Sequence, residues 1–224
     1  MRLWSLAATP DNMCYSPERT GFIDIEISEV IMRILGVSGS PRRGGNSDII
    51  LDNILKGTGA ESDTLYLSDT DFSPCIGCEQ CRKDKICTRF EDGLTPWYDT
   101  ISEATGMVLV SPVHNYNITS WMKAFIDRLY CFYDFDNERP RGWSSRLAGQ
   151  ERAAAIAIVA EQIEGEDLGV AMEALRMPIK AFGYQVAGEL QVLGKFEAGI
   201  VGKDTKALEQ CTELGRKLSK MLGD

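Results

Sequence analysis

Residues 153–160 read Ala-Ala-Ala-Ile-Ala-Ile-Val-Ala, the longest clean apolar run in the chain. The run has the length of a strand, well short of the about 20 residues that cross a bilayer as a helix. A strand that is apolar on both faces must be covered on both, and a parallel sheet between two layers of helices does this. From Met32 onward the pattern alternates accordingly. Residues 34–37 form a short apolar run. Residues 47–56 carry apolar side chains at helical spacing and follow Asn46, a good N-cap type. Residues 63–67 alternate as a strand does, and 107–110 predict a buried strand. Helices are predicted over 94–104, 120–130, 168–182 and 205–222, and a strand over 184–192. On 120–130, Trp121, Ala124, Phe125, Ile126 and Leu129 lie on or near one face. Five such strands suit an α/β, doubly wound, five-stranded parallel sheet of order 2-1-3-4-5, whose ligands sit beyond the carboxyl ends of the strands.

Residues 1–32 do not share this pattern and read as an N-terminal extension. It is either a disordered tail or a misplaced start, with a docking arm through the alternating Ile23, Ile25 and Ile27 as the alternative. Residues 33–224 form the domain, with a cysteine-rich insertion at 73–92. The 224 residues carry a net charge of −9. That balance excludes a phosphate-backbone binder and disfavours an anionic membrane surface, so no nucleic acid and no membrane partner are expected. No signal peptide is read at the N-terminus. The seven cysteines are odd in number, and four crowd into residues 75–87. A secreted disulfide framework would spread them, so the expected compartment is the reducing cytoplasm.

The first strand runs into Ser38-Gly39-Ser40-Pro41-Arg42-Arg43-Gly44-Gly45-Asn46-Ser47 and then a helix. Such a turn aims backbone N–H groups and the helix dipole at one point, which favours an anion. Ser38, Ser40, Asn46 and Ser47 add short neutral donors, and Arg42 can add a charge-assisted bond. Gly39-x4-Gly44 has the Walker spacing, but no lysine follows, and G-x-G-x-x-G is absent. A hydroxyl-rich loop with little positive charge suits a single terminal phosphate such as that of FMN. The third strand ends in Ser111-Pro112-Val113-His114-Asn115-Tyr116-Asn117 on the same sheet edge. There Tyr116 and His114 can wall a flat ring, and the backbone around Val113 to Tyr116 can donate to it.

These stretches, with Gly45-Asn46-Ser47 and the Trp121-Met122-Lys123-Ala124-Phe125-Ile126-Asp127-Arg128 that follows, resemble the NAD(P)H-dependent FMN reductase branch of the flavodoxin-like superfamily. The resemblance implies FMN, with its phosphate on residues 38–47 and its ring against Pro112, Val113, His114, Asn115 and Tyr116. His114-Asn115 stands where that family often has an aromatic pair. Lys123, Asp127 and Arg128 read as a solvated, salt-bridged helix face.

Cys75, Cys78, Cys81 and Cys87 are spaced C-x2-C-x2-C-x5-C. Three thiolates at three-residue spacing wrap one side of a compact cluster and the fourth reaches back, as in ferredoxins. Zinc sites more often use two separated C-x2-C hooks. Gly77 permits a tight turn, and Arg82, Lys83, Lys85 and Arg89 can offset cluster charge. The motif lies between the second strand and the next helix, as in the iron–sulfur flavoproteins, which this chain resembles. That resemblance implies a [4Fe-4S] cluster near FMN and electron transfer between them, with no catalytic acid or base. The alternatives are a cluster-free NAD(P)H-dependent FMN or quinone reductase, a non-enzymatic electron carrier, and a zinc module. The donor is expected to be ferredoxin or NAD(P)H, with an acidic ferredoxin docking near Lys83 and Lys85. The assembly is expected to be a homodimer or homotetramer. Cys14, Cys131 and Cys211 read as ordinary thiols, the last two on buried helix faces.

Overall fold

The computed structural model describes residues 32–223. The N-terminal extension, its proposed docking arm and Cys14 lie outside the described residues. Strands β1 (Ile34–Ser38), β2 (Ser62–Tyr66), β3 (Gly106–Pro112), β4 (Tyr133–Phe135), β5 (Trp143–Ser145), β6 (Ala153–Val159) and β7 (Gln185–Val192) form two sheets. The main one is parallel throughout, in the order β2-β1-β3-β6-β7. With the small antiparallel β4–β5 hairpin set aside, this is the order 2-1-3-4-5 expected from the sequence. Every residue of β6 is buried, as its apolar run requires.

Two layers of helices cover the sheet. Helices α1 (Asn46–Thr58) and α6 (Thr205–Met221) pack on one face, where Ile50, Ile54, Cys211 and Leu214 meet Ile34, Val108, Val110 and Ala155. The other face carries α3 (Trp97–Glu103), α4 (Ser120–Arg128) and α5 (Ala171–Ala181). There Tyr98, Phe125 and Leu175 meet Leu35, Leu109 and Ile156. Alternate residues of each strand thus feed opposite cores, which is the period-two geometry of a pleated strand. Helices α1 and α6 approach almost backbone to backbone. A Cβ added at Gly57 would lie 2.2 Å from Thr212 O, and one at Gly215 2.1 Å from Ile54 O.

Several boundaries shift from expectation for local reasons. Helix α1 starts at Asn46, with Gly45 as its N-cap. Helix α3 starts only after Pro96, its N-cap. Helix α4 ends at Arg128 and tightens into a 3-10 turn, Leu129–Phe132. Trp121 is 38% exposed, and Met122 takes the core position beside Phe125. Helix α5 is preceded by a separate 3-10 turn, Gly165–Leu168. The cysteine-rich insertion contains one helical turn, α2 (Cys81–Asp84).

Candidate functional site

Strand β1 delivers the loop 38–47 to the carboxyl edge of the sheet, where the chain also leaves β3. This is the topological switch point, since β2 and β3 flank β1 on opposite sides. Asp48, in the first turn of α1, organises the loop. Its carboxylate accepts from Ser38 Oγ at 2.6 Å, from the Gly44 N–H at 2.7 Å and from Arg43 at 3.2 Å. Arg43 also meets Asp69 at 2.9 Å and stacks over the Tyr66 ring. Arg43 is thereby tied back, and Arg42 is left on the exposed rim. Ser40 Oγ donates to Arg42 O at 2.7 Å and accepts the Arg42 N–H at 3.1 Å, closing a tight turn. No side chain caps α1 at Gly45. The first-turn N–H groups of a helix have no intrahelical acceptor, so an uncapped N-terminus is suited to an anion.

Asn46 has a different task from the N-cap that its type suggests. Its Nδ2 donates to Glu197 O at 2.9 Å, and its Oδ1 accepts the Val201 N–H at 3.1 Å. It ties the loop to the segment after β7.

The β3 loop is held just as closely. His114 and Asn117 exchange both backbone hydrogen bonds, at 2.8 and 3.0 Å. Between them Asn115 and Tyr116 have φ of 48° and 64°, the two positive values of a tight two-residue turn. Thr119 then caps α4 by accepting the Met122 N–H, while its hydroxyl donates to Gly39 O at 2.7 Å. Ser111 Oγ accepts the Thr119 N–H at 3.2 Å. The two loops are therefore joined directly.

Together they border an open cleft of about 260 Å³. Ser40, Arg42, Asn46 and Ser47 line it from the first loop, and Pro112, Val113 and His114 from the second. Ser38 is buried beneath the loop, and Asn115 and Tyr116 stand at the exposed tip of their turn, outside the cleft wall. Glu161, Lys195 and Phe196 complete the lining from beyond β6 and β7. Sequence reasoning missed these three. The only signal for them is that they follow strands ending at the same sheet edge.

The four cysteines of the insertion line a second, smaller cavity. Cys75 and Cys78 are exposed, and Cys81 and Cys87 half-buried. Gly77, Glu79 and Lys85 have φ of 66°, 60° and 61°, so the chain turns sharply three times around the thiols. Burial raises the Cys81 pKa, and the charges of Cys87, Cys75 and Cys78 raise it further, which reflects how near the four groups lie. Cys131, expected to be an ordinary thiol on a helix face, sits in the 3-10 turn after α4 and lines the same cavity. Burial pushes its pKa up to about 12. Cys211 lies on the buried face of α6, on the opposite side of the sheet, as expected. Among the described residues, no three His, Cys, Asp or Glu side chains are grouped to hold a single metal ion.

The insertion is anchored from both sides. Arg82 donates to Tyr130 OH at 2.9 Å and lies over the Phe135 ring, and Lys85 meets Asp134 at 2.5 Å. Arg82 also pairs with Glu79 at 3.1 Å, so much of the basic charge expected beside the motif is matched by acids. Lys83 and Arg89 remain exposed. Arg128, expected on a solvated face, is 2% exposed. It donates to Asp92 at 2.6 and 3.3 Å, to Ser73 O at 2.8 Å and to Tyr98 OH at 3.1 Å. Burial alone would raise the Asp92 pKa. The bonds from Arg128 and from the Ser73 and Leu94 N–H groups outweigh it and hold Asp92 below the usual carboxylate range. The remaining pair on that stretch, Lys123–Asp127, is exposed at the surface as expected.

A family model described as NADPH-dependent FMN reductase matches residues 32–196. The chain belongs to that family. It is similar to the iron–sulfur flavoprotein of Methanosarcina thermophila, with 25% identity over 194 residues that cover 85% of this chain and 95% of that one. Among solved structures it is similar to an NAD(P)H:quinone oxidoreductase from Methanothermobacter marburgensis, with a TM-score of 0.63, 16% identity and coverage of 84% and 98% of the two chains. An archaeal flavodoxin gives a TM-score of 0.54 at 15% identity, with coverage of 86% and 100%. The fold of this family member is flavodoxin-like, and its membership makes it an FMN-dependent oxidoreductase. No helix among the described residues is long and apolar enough to cross a membrane.

Proposed function

We propose that this family member moves electrons between FMN in the cleft at the switch point and a [4Fe-4S] cluster on Cys75, Cys78, Cys81 and Cys87. The observation that carries the reading is the convergence of all four thiols on one cavity. Four thiolates, one to each iron, stand wider apart than ligands gathered on a single ion. What supports the larger group here is the C-x2-C-x2-C-x5-C spacing together with the lining of one cavity by all four thiols. FMN takes up two electrons as hydride and releases them singly, and a cluster carries one at a time.

The chain's own residues bind and orient. The uncapped start of α1, with Ser40, Ser47 and the rim Arg42, receives the phosphate. Pro112, Val113 and His114 form the wall for the ring, fixed by the bonds of Thr119 to Gly39 and Ser111. Asn46 holds the rim by bonding the 197–201 segment. Hydride transfer to a flavin needs no protein acid or base, so none is assigned. The proposed donor is NAD(P)H, by family; ferredoxin is the alternative, and the paired state of Lys85 weakens the case for a basic docking spot.

Anaerobic reconstitution followed by visible spectroscopy and metal analysis tests this. The expected result is bound FMN together with about four iron and four sulfide per chain. Cys78→Ala should lose most of the iron and keep FMN, and Cys211→Ala should keep both. A wild-type chain that holds FMN and no iron, or stoichiometric zinc, would replace the reading with a cluster-free FMN reductase.

A further inference from the structure

The cysteine insertion is an excursion of the chain whose two ends meet. The Gly93 N–H donates to Asp71 O at 2.8 Å, and the Ser73 N–H donates to Asp92 Oδ2 at 3.1 Å. Both ends then converge on one side chain of α4. Arg128 Nη1 donates to Ser73 O and to Asp92 Oδ2, and Nη2 to Asp92 Oδ1. Nε donates to Tyr98 OH, and the guanidinium lies 5.1 Å from the Phe90 ring centroid and 5.9 Å from that of Tyr98. With its side chain 1% exposed, Arg128 has no water to retreat to. Its planar fork suits a bidentate carboxylate plus a carbonyl in a way that the point charge of lysine does not.

The pair is also asymmetric with respect to the thiols. Arg128 lines the cysteine cavity alongside Phe90 and Cys131, and Asp92 is not part of that lining. Arg128 thus borders the space that the sulfurs border, and its partner Asp92 does not. An arginine keeps its charge at any pH the protein meets.

We propose that Arg128 is a positioning residue for the cysteine site. It clasps the two ends of the 73–92 loop onto α4 and presents a fixed positive charge to the group the thiols hold. The electrostatic half of this rests on the proposed cluster; the clasp does not. A cation beside a negatively charged cluster favours the reduced form, in which more negative charge has accumulated. The carboxylate paired with that cation, outside the cavity lining, opposes it.

Two variants of the full-length chain separate the parts. In the metal-free protein, tryptic cleavage at Lys83, Lys85 and Arg89 should be at least fivefold faster for Arg128→Gln than for wild type, with FMN retained. In the reconstituted protein, redox titration followed by electron paramagnetic resonance should show a lower midpoint potential for Arg128→Gln and a higher one for Asp92→Asn. Merely loosening the loop would move both variants in the same direction, so opposite signs identify the charge effect. Should Arg128→Gln not fold, Asp92→Asn carries the test, with faster cleavage and a raised potential expected. Wild-type cleavage rates together with an unchanged potential overturn the proposal. If wild type takes up no iron, the proposed function fails, and the cleavage comparison alone decides the clasp.

Discussion

Asp48 was not among the candidate site residues, yet it bonds three residues of the loop 38–47, and its removal is a sharp test of the proposal that this loop binds the FMN phosphate. In Asp48→Ala the exposed Gly44 N–H turns to water at little cost. Ser38 has no such option, since it is 1% exposed and its hydroxyl donates to Asp48 at 2.6 Å. A buried polar group stranded this way costs about 1–3 kcal/mol, and the charged acceptor it loses places the effect in the upper part of that range. The Arg43 pair adds little, because Arg43 is 44% exposed and its charge is screened. The expected total is about 3 kcal/mol, or a fall of about 6–12 °C in melting temperature for a domain of this size. Asp48→Asn keeps an acceptor for Ser38 and should lose about half as much. FMN affinity, read by flavin fluorescence titration, should fall about tenfold in the alanine variant, corresponding to about 1.4 kcal/mol. Deleting a carboxylate near an anion site acts in the opposite direction, by less than about 1 kcal/mol for a charge already paired with Arg43. Tighter FMN binding by Asp48→Ala, or a melting temperature within about 2 °C of wild type, would show that the loop is ordered without Asp48 and would refute the reasoning.

The acid limb of stability should bear the mark of Asp92. Its folded pKa is depressed, so its contribution is complete above the unfolded value of about 3.9 and fades as pH falls through the lower folded value. Urea unfolding between pH 3 and 7 should therefore show Asp92→Asn less stable at neutral pH and less sensitive to acid; equal slopes for both proteins would contradict this. Gly57→Ala forces a methyl against Thr212 O, where a Cβ would lie 2.2 Å away. Overpacking of this kind costs about 1–3 kcal/mol or more, so calorimetry should show a melting temperature at least about 4 °C lower, with FMN still bound to the folded fraction.

The sheet was legible because its strands are apolar on both faces. The run 153–160 and the short run at 34–37 leave no face for water, and only a two-sided cover satisfies them. The β4–β5 hairpin was not legible, since three-residue strands such as Tyr133–Phe135 carry too little pattern to register a period. In the candidate site, the serines of the first loop that line the cleft and the cysteines that line one cavity could be brought together from local sequence spacing. Residues whose task is to hold another segment could not. Asn46 has the chemistry of a cap, but its partners are 151 and 155 positions away. Arg128 stands in a stretch with Lys123 and Asp127 that looks like a solvated helix face; only the packing of Ser73 and Asp92 beneath it shows otherwise.

Helix α4 is capped just before its start by Thr119, which bonds Gly39, and ends at Arg128, which bonds both ends of the cysteine loop. It is thus a ruler between the two loops, about 13 Å long at 1.5 Å per residue. A ruler made of helix cannot be lengthened gradually. One inserted residue would advance Arg128 by about 1.5 Å and swing it through about 100° around the axis, away from Ser73 and Asp92. The hairpin loop between β4 and β5 is less constrained, since residues 136–140 are exposed and only Arg141, at 3.8 Å from Glu79, reaches the cysteine insertion. Insertions and deletions among homologous chains should therefore gather between residues 136 and 140 and be missing between Thr119 and Arg128, whatever substitutions that helix accepts.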